Sequence, residues 1–246
     1  MSEAIVFTSG KGGVGKTTTI ANIGTVLSQL DKKVVMLDTD MGLRNLDVVM
    51  GLEDQIRYNL IDLLEKHCRL KQALIKDKRY PNLYMIPASL KFDRVHNYEP
   101  EFKALVDELK KEFDYCLIDC PAGMGNGFHL AIAAADRAIV VTTPHISAVR
   151  DAGRIIHQLQ NEHINDINLV INEYDERMVR RHDMLSQSDI EELLGVKTIG
   201  VVPCDKKVIV SQNKGTPVVS FRSKSANRFI AIANYVNARK VGASDE

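Results

Sequence analysis

The sequence predicts an α/β fold: a single doubly wound, mostly parallel sheet with helices on both faces. Strand-like and helix-like segments alternate from one end of the chain to the other. Most strand-like segments are near-continuous apolar runs, which suits strands covered by helices on both faces. A further observation sets the domain count. The 246 residues contain no Pro/Ser/Gly-rich linker and no internal repeat. One domain over residues 1–240 is therefore expected, followed by a short acidic tail at 241–246.

In chain order, strand signals fall at residues 4–9, 33–38, 83–87, 115–119, 137–142, 168–172 and 197–202. The first, AIVFTS, reads as a buried strand that runs into a glycine-rich loop. Amphipathic helix signals fall between them and after the last, at 17–30, 101–113, 127–135, 147–162, 188–194 and 225–239. Ser186 and Asp189 are spaced as a capping box, with Asp in place of Glu, ahead of the fifth helix. Gly195 and Gly215 are expected helix stops. In the last helix Ala226, Phe229, Ile230, Ala233 and Val236 form one stripe at helical spacing, the pattern of a core-facing side.

Composition narrows the function classes. Apolar residues at 45% and charged residues at 26% are ordinary globular values. Thirty-two basic residues balance thirty-two acidic ones, so no overall field favours nucleic acid or anionic lipid. No apolar run approaches a membrane span, and the N-terminus starts a strand rather than a signal peptide. A cytoplasmic chain is expected. The four cysteines lack a C-x-x-C unit and the seven histidines lack ligand spacing. Reduced core thiols are therefore expected, with no disulfide and no metal site of the thiolate or imidazole kind.

Residues Gly10, Lys11, Gly12, Gly13, Val14, Gly15, Lys16 and Thr17 carry the chemistry. They match G-x-x-x-x-G-K-[ST] between a strand and a helix, where a phosphate cradle must sit. The glycines let successive N–H groups turn toward one anion, and the helix start adds its positive dipole end. Lys16 supplies a full charge to the β/γ-phosphates, Thr17 is the expected Mg2+ ligand, and Thr18 completes the binding segment. Carboxylates at two strand ends complete the site. Asp38 and Asp40 end the run VVMLDTD, and Asp119 ends CLID before a Pro-Ala-Gly turn. Asp119 is expected on the Mg2+ side, acting through a metal-bound water. Asp40 is expected to orient the hydrolytic water, Asp38 to support Lys16 and the metal shell, and Gly123 to offer its N–H near the γ-phosphate. Asn172 begins a near miss of the N-K-x-D guanine reader with the lysine absent, so it is expected at an adenine edge.

The combined pattern, with its second lysine at Lys11, resembles the deviant Walker A class of P-loop ATPases. Residues 41–51 (MGLRNLDVVMG), 69–77 (RLKQALIKD), 136–144 (DRAIVVTTP), 147–151 (SAVRD) and 180–186 (RRHDMLS) narrow the resemblance to the MinD family. It covers nearly the whole chain. The resemblance implies an ATP-dependent homodimer in which Lys11 crosses to the partner's nucleotide, much as an arginine finger does, worth about 10³–10⁵ in rate. It implies an ATPase that is slow alone and stimulated by a MinE-like or other topological activator. It further implies recruitment of a MinC-like division inhibitor, peripheral docking on the anionic inner face of the cell membrane, and placement of the division septum. A Pro-x-Asp turn packs around the base in this class, which points to Pro203 and Asp205; a plain strand-to-helix turn is the competing reading. Two positions depart from the family pattern. Residues 240–246 (KVGASDE) have no apolar face of the kind an interfacial helix needs, and Gly153 stands where many members carry an acid on a partner-facing helix.

Other functions remain to be weighed. A ParA-like ATPase that moves cargo on DNA would need a basic surface, for which Arg177, Arg180 and Arg181 are the best local cluster. Neutral net charge argues against it. A soluble relative with other partners is a further alternative. An electron-transfer protein of the nitrogenase iron-protein type would need a second cysteine placed like Cys120, and none is. A nucleotide-binding scaffold without turnover is not favoured while Lys11, Lys16, Thr17, Asp40 and Asp119 are all present.

Overall fold

The computed structural model describes residues 2–90 and 97–242. Its strands are β1 (Glu3–Thr8), β2 (Val34–Asp38), β3 (Ile75–Lys76), β4 (Leu83–Ile86), β5 (Tyr115–Asp119), β6 (Arg137–Thr142), β7 (Ile167–Tyr174) and β8 (Thr198–Pro203). They form one sheet in the order 3-4-2-5-1-6-7-8. Every pairing is parallel except that of β3 with β4. The helices are α1 (Lys16–Gln29), α2 (Leu46–Met50), α3 (Leu60–Leu64), α4 (Leu70–Ala73), α5 (Glu99–Leu109) and α6 (Asn126–Ile132), then α7 (Ile146–Asn161), α8 (Glu176–Arg180), α9 (Gln187–Leu194), α10 (Lys206–Gln212) and α11 (Lys224–Gly242).

The continuous apolar runs are explained by the two-sided core. Successive strand side chains point to opposite faces. Ile5, Phe7, Met36 and Leu117 pack with Ile20, Ile23 and Leu27 of α1 and Phe229, Ile232 and Val236 of α11. Ala4, Val6, Leu37 and Ile118 pack on the other face with Phe102 of α5, Phe128 of α6 and Ile155 and Leu159 of α7. The doubly wound fold is as the sequence predicts. β1 sits mid-sheet between β5 and β6, so its carboxyl end opens at the crevice where such sheets bind ligands.

Local details differ from the sequence reading in instructive ways. β3, α2, α3, α4, α8 and α10 were not expected, because segments of two to seven residues are too short to show a period. Their signals are caps instead. Asn59 and Asp62 form a capping box on α3, Asp175 caps α8, and Asp205 caps α10. The capping box of Ser186 and Asp189 is present, and Gly195 ends α9 with φ 64°. Gly215 stops α10 as expected: with φ 55° its N–H donates to Gln212 O at 2.9 Å while the Thr216 N–H donates to Ser211 O at 3.0 Å, the paired bonds of a left-handed helix stop. The α11 stripe is corrected at one position. Ile230 faces outward and Ile232 takes its place in the core, lodged where Gly200 of β8 leaves room.

Helix α11 also continues to Gly242, past the expected boundary at 240, and residues 243–246 of the expected tail lie outside the described residues. Cys116 and Cys120 are buried as expected, but Cys204 is exposed and Cys68 half-buried. No helix among the described residues is long and apolar enough to cross a membrane.

Candidate active site

The loop after β1 turns on Gly13 and Gly15, with φ 81° and 88°, conformations that L side chains rarely adopt. Gly15 is the N-cap of α1 and supplies no side-chain cap, so the first-turn N–H groups are left for an anion. Beneath the loop, Asn172 Nδ2 donates to Val14 O at 2.9 Å. A Cβ on Gly15 would lie 2.2 Å from that same nitrogen, so only glycine fits. Strand β7 is irregular at this point. Its register shifts between Ile171 and Tyr174, and Glu173 has φ 57°, a bulge that re-aims the Asn172 side chain at the loop. Asn172, expected at a base edge, is thus a brace for the phosphate loop, with Oδ1 the atom left for a ligand.

The lysine and the strand-end acids converge. Lys16 is buried and its Nζ donates to Asp119 Oδ1. Burial works to lower the Lys16 ammonium, but the charge and hydrogen bond of Asp119 outweigh it and hold it above its ordinary value. Asp119 Oδ2 is buried without a hydrogen-bond partner. Asp38 pairs in register with Asp119 across β2 and β5. Its Oδ1 accepts the Asp40 N–H at 2.9 Å and its Oδ2 the Leu46 N–H at 3.2 Å, so it shapes the segment that leads into α2. Thr39 Oγ1 and N both donate to Asp119 O. Asp40 is half-buried, and burial raises its carboxyl while Lys16 opposes the shift.

Burial, then repulsion by Asp119, pushes the Asp38 carboxyl up to about 8. In an unfolded chain it titrates near 4. The folded protein therefore keeps a proton that the unfolded chain has released, and this contribution to stability is lost as pH rises from about 4 to about 8. In Asp38→Asn the nucleotide-free protein is expected to show a shallower fall in unfolding free energy over that window, by up to about 1.4 kcal/mol per pH unit. Urea titrations at several pH values measure it. Parallel wild-type and variant slopes would sink the assignment.

The remaining expected residues are placed as follows. Lys11 is exposed at the crest of the loop, and Thr17 is half-buried in the first turn of α1. Thr18 is buried, and its hydroxyl accepts from Gln212 Nε2 at 2.6 Å, so it joins α1 to α10. The Gly123 N–H donates to Ser9 O at 3.0 Å, which ties the turn after β5 to the start of the loop. Asp205 is committed twice, through Oδ1 to the Lys207 N–H at 2.9 Å and through Oδ2 to the Ser225 hydroxyl at 2.8 Å. For Pro203 and Asp205 the geometry favours the strand-to-helix turn. Sequence reasoning missed Gln212 and the pair Asp77 and Arg79, although the D-x-R spacing inside DKR was a legible signal.

Arg177 and Arg180 do gather with Lys224 and Arg228, around a cavity of about 880 Å3 beside β7 and β8 that includes no residue of the phosphate loop. Arg181 is not among its walls. No group of three or more His, Cys, Asp and Glu side chains among the described residues could hold a metal unaided. The orphaned Asp119 Oδ2 and the Thr17 hydroxyl nonetheless suit Mg2+, a hard cation that takes one or two protein oxygens and fills its shell with phosphates and water.

A left-handed glycine loop at the switch point of a parallel sheet, with its lysine bonded to the carboxylate of the neighbouring strand, defines the class of P-loop nucleotide-binding proteins. The AAA domain family matches residues 2–173. A septum site-determining protein MinD of Synechocystis is 51% identical over 219 residues, covering 89% of this chain and 82% of that protein. Among solved structures, the MinC:MinD cell division protein complex of Aquifex aeolicus aligns with a TM-score of 0.90 at 39% identity, covering 96% of both chains. MinD complexed with Mg-ADP from Pyrococcus horikoshii aligns with a TM-score of 0.84 at 29% identity, again over 96% of both. The chain belongs to the MinD family of septum site-determining ATPases. Its role is division-site positioning, and the DNA-cargo alternative has no better support.

Proposed function

We propose that the chain hydrolyses ATP to ADP and phosphate as a nucleotide-bridged homodimer, slowly alone and faster with a stimulating partner. The observation that carries this reading is the Lys16 and Asp119 pair beside an orphaned carboxylate oxygen, with Lys11 exposed on the same loop. Lys16 and the α1 N–H groups bind the phosphates, with Gly123 close by through Ser9. Thr17, and Asp119 through a water, hold Mg2+, which when bound neutralises charge on the β- and γ-oxygens. Asp40 orients the attacking water, Asp38 fixes the segment that carries Asp40, and Lys11 acts on the partner's nucleotide. A MinC-like inhibitor is the proposed cargo and a MinE-like or other topological factor the proposed activator.

Membrane association is proposed to be peripheral and ATP-dependent. It does not use the apolar stripe of α11, because Phe229, Ile232 and Val236 are fully buried and exposing each would cost about 1.5–3 kcal/mol. Co-sedimentation with anionic phospholipid vesicles, paired with a solution measurement of mass, tests the switch. ATP should give dimers that pellet with vesicles and ADP should give neither. Vesicle binding that ignores the nucleotide, or no dimer with ATP, would overturn the proposal.

A further inference from the structure

We infer that Arg79 is a positioning residue for ATP hydrolysis. It locks α2 to the loop after α10, so that the segment carrying Asp38 and Asp40 and the helix that follows the phosphate loop are held as one unit. Hydrolysis itself is the reading proposed above, and the inference rests on it.

The guanidinium is saturated. Its five N–H donors all find acceptors on three separate segments. Nε reaches Asp77 Oδ1 at 3.0 Å and Nη2 reaches Asp77 Oδ2 at 2.7 Å. Nη2 also donates to Met50 O, the last carbonyl of α2. Nη1 donates to Gly215 O at 2.8 Å and to Thr216 Oγ1 at 3.4 Å. Asp77 is buried at 1% exposure and also accepts the Arg79 N–H at 2.8 Å, which fixes the fork from behind. A lysine offers one point of charge in place of this planar fork.

The segments it joins are already in backbone contact. Gly51, the C-cap of α2, and Gly215 both have positive φ, and a Cβ on Gly215 would lie 2.6 Å from the Gly51 Cα. From each side of this junction a hydrogen bond leads back to the site. Leu46, at the start of α2, donates to Asp38. Gln212, at the end of α10, donates to Thr18, two residues beyond Lys16. The contacts thus form a ring that leaves the phosphate loop through α1, crosses α10, Arg79 and α2, and returns through Asp38 to Asp119, its register partner and the acceptor of the Lys16 bond. Left-handed glycines pressed together and a fully used arginine, neither touching the phosphate loop, are more than β3 and β4 need to pair.

A clamp that only stabilised the fold would alter the melting temperature and leave turnover alone when assayed well below it. A positioning residue separates binding from chemistry. For Arg79→Ala and Arg79→Lys, nucleotide affinity should stay within about twofold while kcat falls at least about tenfold, since small misplacements at a reacting centre cost up to about 10²-fold. Gly215→Ala perturbs the same junction from the other side with Arg79 intact, and should lower kcat likewise. The Arg79→Ala, Gln212→Ala pair should be non-additive in kcat. The assays use the full chain at concentrations where the wild type dimerises on ATP, with circular dichroism confirming the fold. If every variant turns over within twofold of wild type, the inference is overturned. It is equally overturned if affinity and kcat fall together with stability. A wild type with no ATPase activity would refute the underlying hydrolysis instead.

Discussion

Lys11→Ala should bind ATP as tightly as the wild type, remain monomeric with it, and hydrolyse it about 10³-fold or more slowly. The exposure of the side chain supports this expectation. Lys11 is exposed, and among the described residues no ion pair holds it. Beside it the loop crest is bare, since a Cβ built on Gly12 or Gly13 would meet nothing within 4 Å. An exposed cation without an ion-pair partner among the described residues, beside backbone that leaves space for a second surface, is suited to act across an interface. Nucleotide titration, mass in solution and single-turnover hydrolysis on one preparation separate the three steps. An ATP-dependent dimer with normal turnover in the variant would falsify the action in trans.

The second large effect concerns Lys16→Ala. Nucleotide binding should be lost, because Lys16 is the buried cation at the start of α1, and Lys11, the other lysine of the loop, is exposed at its crest. Stability should fall as well. Lys16 is the partner of Asp119 inside a site where Asp38 and Asp119 lie opposite each other, both buried. Removing one member of a buried ion pair costs about 3–5 kcal/mol, since the other is left without compensation. Adding Asp119→Asn to Lys16→Ala should recover most of that loss without restoring binding. Chemical denaturation of the single and double variants measures it. A single variant as stable as the wild type would show that the pair contributes nothing net to the fold.

The parts of this molecule legible in the sequence are those set by periodicity and by spacing along the chain. β1, β2, β5 and β6 announce themselves as unbroken apolar runs because both faces of each are covered. The loop from Gly10 to Thr17 and the acids at 38, 40 and 119 are legible because their chemistry needs those types at strand ends. What the sequence hides depends on contacts distant in the chain. The bond from Asn172 to Val14 spans 158 residues, and its direction is set by a bulge that no residue pattern predicts. Asp205 was balanced between a base contact and a cap, and both oxygens went to backbone and hydroxyl partners from α10 and α11. Ile230 and Ile232 illustrate the same limit. Both fit a helical stripe, and only the packing of Gly200 against Ile232 decides which one is inside.

The bond between Lys16 and Asp119 makes nucleotide entry a substitution. On the proposed reading, the ammonium that would meet the phosphates already has an anion and the carboxylate on the metal side already has a cation, so arrival of Mg-ATP would trade one internal partnership for new external ones. The net gain is smaller than the sum of the new contacts, because the old contact is surrendered. The reverse trade is correspondingly easy. On that reading, once the nucleotide has left, the carboxylate reclaims the lysine and the empty state is restored without a naked buried charge. The proposed cycle of binding and release would be served by an affinity held down in this way, with the vacated site ready for the next round.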